Sequence, residues 1–96
     1  KMLEREGCFA LVLEKIPAKL AQKVAESISI PVIGIGAGGG VDGQVLVLHD
    51  MIGMTHEFSP RFLRRYMNLY EEMTKAIGQY VDDVKSKDFP NANEQY

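Results

Sequence analysis

The sequence has a single cysteine, no long apolar run and almost no net charge. Cys8 standing alone excludes an internal disulfide and favours a reducing compartment. The longest apolar runs fall far short of the ~20 residues that cross a bilayer as a helix, and no cleavable leader opens the chain. Eleven Lys and Arg against thirteen Asp and Glu leave a formal charge of −2, so nothing marks a nucleic-acid backbone or an anionic membrane as a partner. These absences together predict a soluble, cytoplasmic protein. What is present is globular composition, 46% hydrophobic and 25% charged over 96 residues, enough for one core. There is no internal repeat and no low-complexity segment.

Organisation comes from three short apolar runs. Val32 to Ile35 and Val45 to Leu48 flank a loop holding Gly36, Gly38, Gly39, Gly40, Gly43 and Asp42. Runs without polar alternation suit strands covered on both faces, so these two read as neighbours in a parallel sheet. A third run, Phe9 to Leu13, ends at Glu14. Between them, Leu20, Val24 and Ile28 recur every four residues from Pro17 to Ile28, beside Ala21 and Ala25, which predicts a helix laid on that sheet. Met2 to Glu6 reads as the last turn of a helix closed by Gly7. The class is therefore α/β, built from strand, helix, strand.

After Asp50 the periodicity is helical. Ser59 and Pro60 form an N-cap and first-turn pair, and apolar residues from Phe62 to Val84 repeat at helical spacing up to about Lys85. Asn68 with Glu71 makes a second capping pair, so one long helix and two helices bent near Met67 are both open. Residues 1–86 are assigned to the structured part and 87–96, polar with Pro90 inside, to a tail without regular structure. Three strands are too few for a covered parallel sheet, and a closed barrel needs eight strands and roughly 250 residues. The expected place of this chain is the C-terminal piece of a larger fold.

Several candidate sites can be weighed by spacing. Gly34, Gly36 and Gly39 match G-x-G-x-x-G, yet an apolar run rather than a helix follows, leaving no helix start for a pyrophosphate. No lysine follows the glycines, which excludes a P-loop. The loop is either a tight connection that needs glycine for positive φ or a substrate loop whose N–H groups line a site. Glu14 is the sharper candidate, because parallel sheets place reacting groups at the carboxyl ends of their strands. Beside Cys8 and Ile16 it would be partly desolvated and suited to general base work; otherwise it pairs with Lys15 or caps the next helix. His49, Asp50, His56 and Glu57 fit no strong metal spacing; Asp50 is expected to cap the turn through Gly53 and His49 to be a hydrogen-bonded core residue. Cys8 is expected to be buried packing. The Tyr and Met stripe from Tyr66 to Tyr80 reads as packing, with a subunit boundary as a further use.

The segments LVLEKIP (11–17), IPVIGIGAG (30–38) and DGQVLVLHDMIG (42–53) together resemble the ketopantoate hydroxymethyltransferase family, over Lys1 through Pro90. The resemblance implies the C-terminal part of a (β/α)8 TIM barrel of the phosphoenolpyruvate/pyruvate type. It implies hydroxymethyl transfer from 5,10-methylenetetrahydrofolate to 3-methyl-2-oxobutanoate, giving 2-dehydropantoate in pantothenate biosynthesis. Glu14 matches the family's proton acceptor. The family's Mg²⁺, the Lewis acid for the enolate, has its ligands on earlier strands, so no metal or cofactor residue is carried over here and the segment alone is expected to be inactive. Homo-oligomers, commonly decamers, are expected partners. A different Mg²⁺-dependent lyase or aldolase on a related barrel, and a noncatalytic assembly module, are the alternatives.

Overall fold

The computed structural model describes residues 1–96. Three strands, β1 (Leu11–Glu14), β2 (Val32–Ile35) and β3 (Gly43–Gln44), form a parallel sheet in the order β1-β2-β3. Parallel pairing of consecutive strands needs a crossover. Helix α2 (Ala18–Ser27) supplies it between β1 and β2, with Pro17 at its N-cap, where a missing N–H costs nothing. Leu11 pairs with Val32 and Glu14 with Ile35, so Leu11, Leu13, Val32 and Gly34 share one face and Val12, Glu14, Ile33 and Ile35 the other.

The two faces differ. Val32 of β2 and Ala21 of α2 are both fully buried, as is Ala37 of the following loop, and burying a valine side chain contributes about 2 kcal/mol. On the other face Val12 is 64% exposed and Glu14 is exposed. α2 lies against one face only and leaves the other open, as expected of three strands too few for a covered parallel sheet.

Boundaries shift at two runs. β1 begins at Leu11 rather than Phe9, which is exposed, and includes Glu14 as its last residue. The run Val45 to Leu48 is not a strand. The ladder ends with the Val45 N–H donating to the Gly34 carbonyl at 3.0 Å. β2 itself stops at Ile35, and Gly36, whose carbonyl would be the next acceptor on the β3 side, turns away at φ 64°, so no partner remains for Val47. Helix α3 (Leu48–Met51) starts inside the expected strand, and Val45, Val47 and Leu48 are exposed.

Two compact units result, one of Lys1–Leu48 with Ser59–Arg64 and one of His49–Phe58 with Arg65–Tyr96. The first holds the sheet, α2 and α1 (Met2–Arg5), whose end is closed by Gly7 at φ 97° as anticipated. Glu4 of α1 accepts from the Ser29 N–H at 2.7 Å and from the Ser29 hydroxyl.

The second unit is built on α4 (Leu69–Ser86). Its N-cap is Asn68, so the helix starts where the second capping pair stands, although the Asn68 side chain makes no capping hydrogen bond, while Ser59 and Pro60 open only a turn in which the Leu63 N–H reaches the Pro60 carbonyl. Neither a long helix from Pro60 nor two helices bent near Met67 is formed. The reason lies in the amides of Tyr66, Leu69 and Tyr70, which donate to the carbonyls of Met51, Ile52 and Gly53. Lys87, at φ 63°, ends α4 by donating to Asp83 and Val84 carbonyls. Residues 87–96 hold turns and no helix or strand. No helix is long and apolar enough to cross a membrane.

Candidate active site

The carboxyl ends of β1 and β2 meet at one edge of the sheet, and the loops that leave them define the site. β1 closes on Glu14. The next residue, Lys15, donates its N–H to the Ile35 carbonyl at 2.8 Å and adopts φ 49°, a left-handed conformation that costs a residue bearing a Cβ of order 1–3 kcal/mol. That bend sends the chain through Ile16 and Pro17 into α2. β2 closes on Ile35, after which Gly36 and Gly38 take φ values of 64° and 80°, open to glycine at no steric cost.

These glycines also make room. A Cβ on Gly36 would lie 2.8 Å from Cδ1 of Phe62, and one on Gly38 would strike Ala18 at the start of α2. The aromatic ring therefore lies directly on bare backbone. Gln44 of β3 fixes the far side of the loop, its Nε2 donating to the Gly38 carbonyl at 2.8 Å. Asp42 closes the base, accepting from the Val32 N–H at 2.8 Å. Between the strand ends and Phe62 lies a cleft of about 740 Å³, which Lys15, Ile16, Pro17, Gly36 and Arg61 also line.

Glu14 is the last residue of β1, as its position in the sequence anticipates, and precedes Lys15 of the cleft without lining the cleft itself. Its side chain is exposed, not partly desolvated by Cys8 and Ile16. It points to the face that Val12 shares, the face α2 leaves uncovered. Gln44, Arg61 and Phe62 were not singled out by sequence reasoning. No spacing rule links residue 62 to residue 36, and a lysine in a left-handed turn has no compositional signature.

The remaining candidates do not join the site. His49 is exposed rather than a core residue, because it lies in the short α3, none of whose residues is buried. Asp50 does close the turn at Gly53, through its backbone carbonyl rather than its carboxylate, accepting the Gly53 N–H at 3.1 Å. His56 stacks against Tyr70 with ring centroids 4.4 Å apart. Cys8 is half-buried, not buried. No three His, Cys, Asp or Glu side chains lie together as a metal-binding set.

Comparison with known proteins bears on what this edge is for. The family model for ketopantoate hydroxymethyltransferase matches residues 1–92. A 3-methyl-2-oxobutanoate hydroxymethyltransferase of Flavobacterium johnsoniae is 81% identical over 96 residues, all of this chain and 35% of the relative. Proteins of the same name from Christiangramia forsetii and Parabacteroides distasonis are 73% and 70% identical, over 100% and 99% of this chain. In each case the chain spans 35% of the relative's length. With residues 1–92 matched by the family model, the chain belongs to the ketopantoate hydroxymethyltransferase family.

Proposed function

We propose that this chain supplies the proton-accepting edge of a 3-methyl-2-oxobutanoate hydroxymethyltransferase, with Glu14 as the base. The observation that carries the reading is the position of Glu14, the last residue of a parallel strand, on the sheet face α2 leaves open and next to the glycine loop. Reacting groups of α/β barrels and open parallel sheets gather at such ends. The relatives' shared name adds the reaction class.

In this reading Glu14 removes the proton from C3 of 3-methyl-2-oxobutanoate. The electron pair of that C–H bond becomes the enolate, and its carbon forms a bond to the methylene carbon carried by 5,10-methylenetetrahydrofolate. Both C–N bonds of that methylene break as water's oxygen takes their place, water's two protons pass to N5 and N10 of the departing tetrahydrofolate, and Glu14 returns its proton to the new hydroxyl oxygen, giving 2-dehydropantoate. An exposed carboxylate at a strand end, reachable by a small keto acid, suits the first step. The residues present do not form the Mg²⁺ site that the family resemblance implies, so its ligands are assigned to strands outside this segment and no step is derived through it here. The same reading places the sheet in a (β/α)8 barrel of the phosphoenolpyruvate/pyruvate type, assembled as a cytoplasmic homo-oligomer of the decamer kind.

The test is hydrogen exchange at C3. In the full-length protein carrying this segment, Glu14→Gln should slow deuterium uptake into 3-methyl-2-oxobutanoate at least ~100-fold, the lower range for loss of a general base, with an unchanged circular dichroism spectrum. Uptake at the original rate would remove Glu14 from the mechanism.

A further inference from the structure

Glu14 and the left-handed turn that follows it act on one another. Glu14 pairs with Ile35 of β2, and the bond that closes the pair is the Lys15 N–H donating to the Ile35 carbonyl at 2.8 Å. That bond holds the peptide between Glu14 and Lys15 in the ladder, so the backbone of Glu14 stays extended to the last rung. Lys15 then takes φ 49°, a region that residues other than Gly, Asn and Asp seldom enter. The next two residues add stiffness. Ile16 precedes a proline and is biased to extended backbone, and Pro17 has φ −57° and ψ 133° before α2 begins. Lys15 is thus the joint at which the chain turns from strand to helix.

The joint decides what stands next to the carboxylate. Side chains two apart on a strand share a face, so a strand continued past Glu14 would set Ile16 beside it on the face of Val12. The left-handed turn breaks that alternation. Ile16 instead lines the cleft with Pro17, Gly36 and Phe62, whereas Glu14 does not line it and stays exposed. A Cβ-bearing residue at positive φ carries strain that glycine would not, and strain kept beside a reacting group points to a use for the geometry it maintains. We infer that Lys15 is a positioning residue, which through its left-handed backbone and not its ammonium group fixes Glu14 at the end of β1 and keeps Ile16 off the carboxylate. The assignment rests on the reading of Glu14 as the base and adds the residue that aims it.

Deuterium uptake at C3 in the full-length protein, with kcat and KM for 3-methyl-2-oxobutanoate measured separately, tests this on three variants. Lys15→Gly adopts the left-handed turn freely and Lys15→Met keeps an unbranched stem, so both should hold kcat within about threefold although neither carries the charge. Lys15→Val differs, because a β-branched residue is a genuine outlier at positive φ. By displacing the base it should lower kcat about tenfold or more, with KM within about twofold and an unchanged circular dichroism spectrum. A comparable loss in Lys15→Gly or Lys15→Met would give the role to the side chain, and a raised KM in all three would make Lys15 a substrate contact; either overturns the assignment. So would Lys15→Val at the original rate, or its loss of the fold, which would make the turn a requirement of folding alone. The reading of Glu14 as the base fails separately, by fast exchange in Glu14→Gln with Lys15 intact.

Discussion

Asp42 and Val32 hold each other by a reciprocal pair of hydrogen bonds. The Asp42 carboxylate accepts from the Val32 N–H at 2.8 Å, and the Asp42 N–H donates to the Val32 carbonyl at 3.0 Å. The two residues bracket β2 and the glycine loop, so this clasp ties the start of the strand to the end of the loop that leaves it. Backbone bonds alone would leave the Val32 N–H at the strand start without an acceptor. Asp42→Ala should therefore cost about 1–2 kcal/mol, toward the lower end for a hydrogen bond to a charged group because Asp42 is itself exposed. Asp42→Asn keeps an acceptor oxygen and should cost less. Urea denaturation of the three proteins checks the order, and equal midpoints would remove the clasp from the stability of the sheet.

Gly36 offers a sharper steric test. At φ 64° a side chain is strained whatever the space, and here the added methyl would also meet Phe62 Cδ1 at 2.8 Å. Gly36→Ala should lower stability by more than ~1 kcal/mol and displace the Phe62 ring from the cleft. The double variant Gly36→Ala with Phe62→Ala should recover the steric part but not the φ part. Thermal midpoints of the single and double variants distinguish the two contributions.

The Glu4 carboxylate gives the chain an acid-sensitive contact. The Ser29 hydroxyl, and after it the Ser29 N–H, holds the Glu4 pKa below its ordinary value. A carboxylate whose folded pKa is depressed binds protons more readily when unfolded. Its contribution is therefore complete above the usual carboxylate range, about 4.3 for Glu, and is lost as pH falls through the lower folded value. Replacing Ser29 by Ala should shift the Glu4 titration, followed by carboxyl-carbon NMR, back up toward that range. An unmoved titration would assign the shift to another cause.

How far the sequence carries depends on where each signal resides. Val32 to Ile35 was legible because an apolar β-branched run between Pro31 and Gly36 has one plausible use, and the parallel pairing followed from the helix between it and β1. Val45 to Leu48 has the same composition but lies beyond the last residue β2 can pair with, a limit set by Gly36 turning the partner strand away. Composition reports what a segment would do with a neighbour, not whether one exists. The start of α4 shows the same division. Two capping pairs were visible, and the choice of Asn68 over Ser59 was made by Met51, Ile52 and Gly53 carbonyls drawing amides from residues 66 to 70. Glu14 was visible as a strand-end acid, whereas Arg61 and Phe62 enter the site only through tertiary packing.

Lys87 lets a stabilising change be forecast. It closes α4 at φ 63° with its N–H on the Asp83 and Val84 carbonyls, a position glycine occupies without strain from a Cβ. Lys87→Gly should raise stability by about 0.5–1 kcal/mol, the relief of the left-handed penalty less the entropy glycine brings to the unfolded chain. Removing a cation from the last turn subtracts a few tenths through the helix dipole. A lowered urea midpoint would mean that the dipole and entropy costs outweigh the backbone gain.

The last expectation concerns what these 96 residues do alone. Glu14 provides a base, but no three His, Cys, Asp or Glu side chains meet to hold a metal, and the sheet face that Glu14 shares with Val12 lies open. A base in contact with water, without a group to stabilise the enolate, gains little over a free carboxylate. The isolated segment should therefore leave C3 of 3-methyl-2-oxobutanoate protonated at the buffer rate with or without added Mg²⁺, while the full-length protein exchanges it. Mixing the segment with the complementary remainder of a relative's chain should restore exchange if the two assemble. Catalysis by the segment alone would place the enolate-stabilising group among the residues described above.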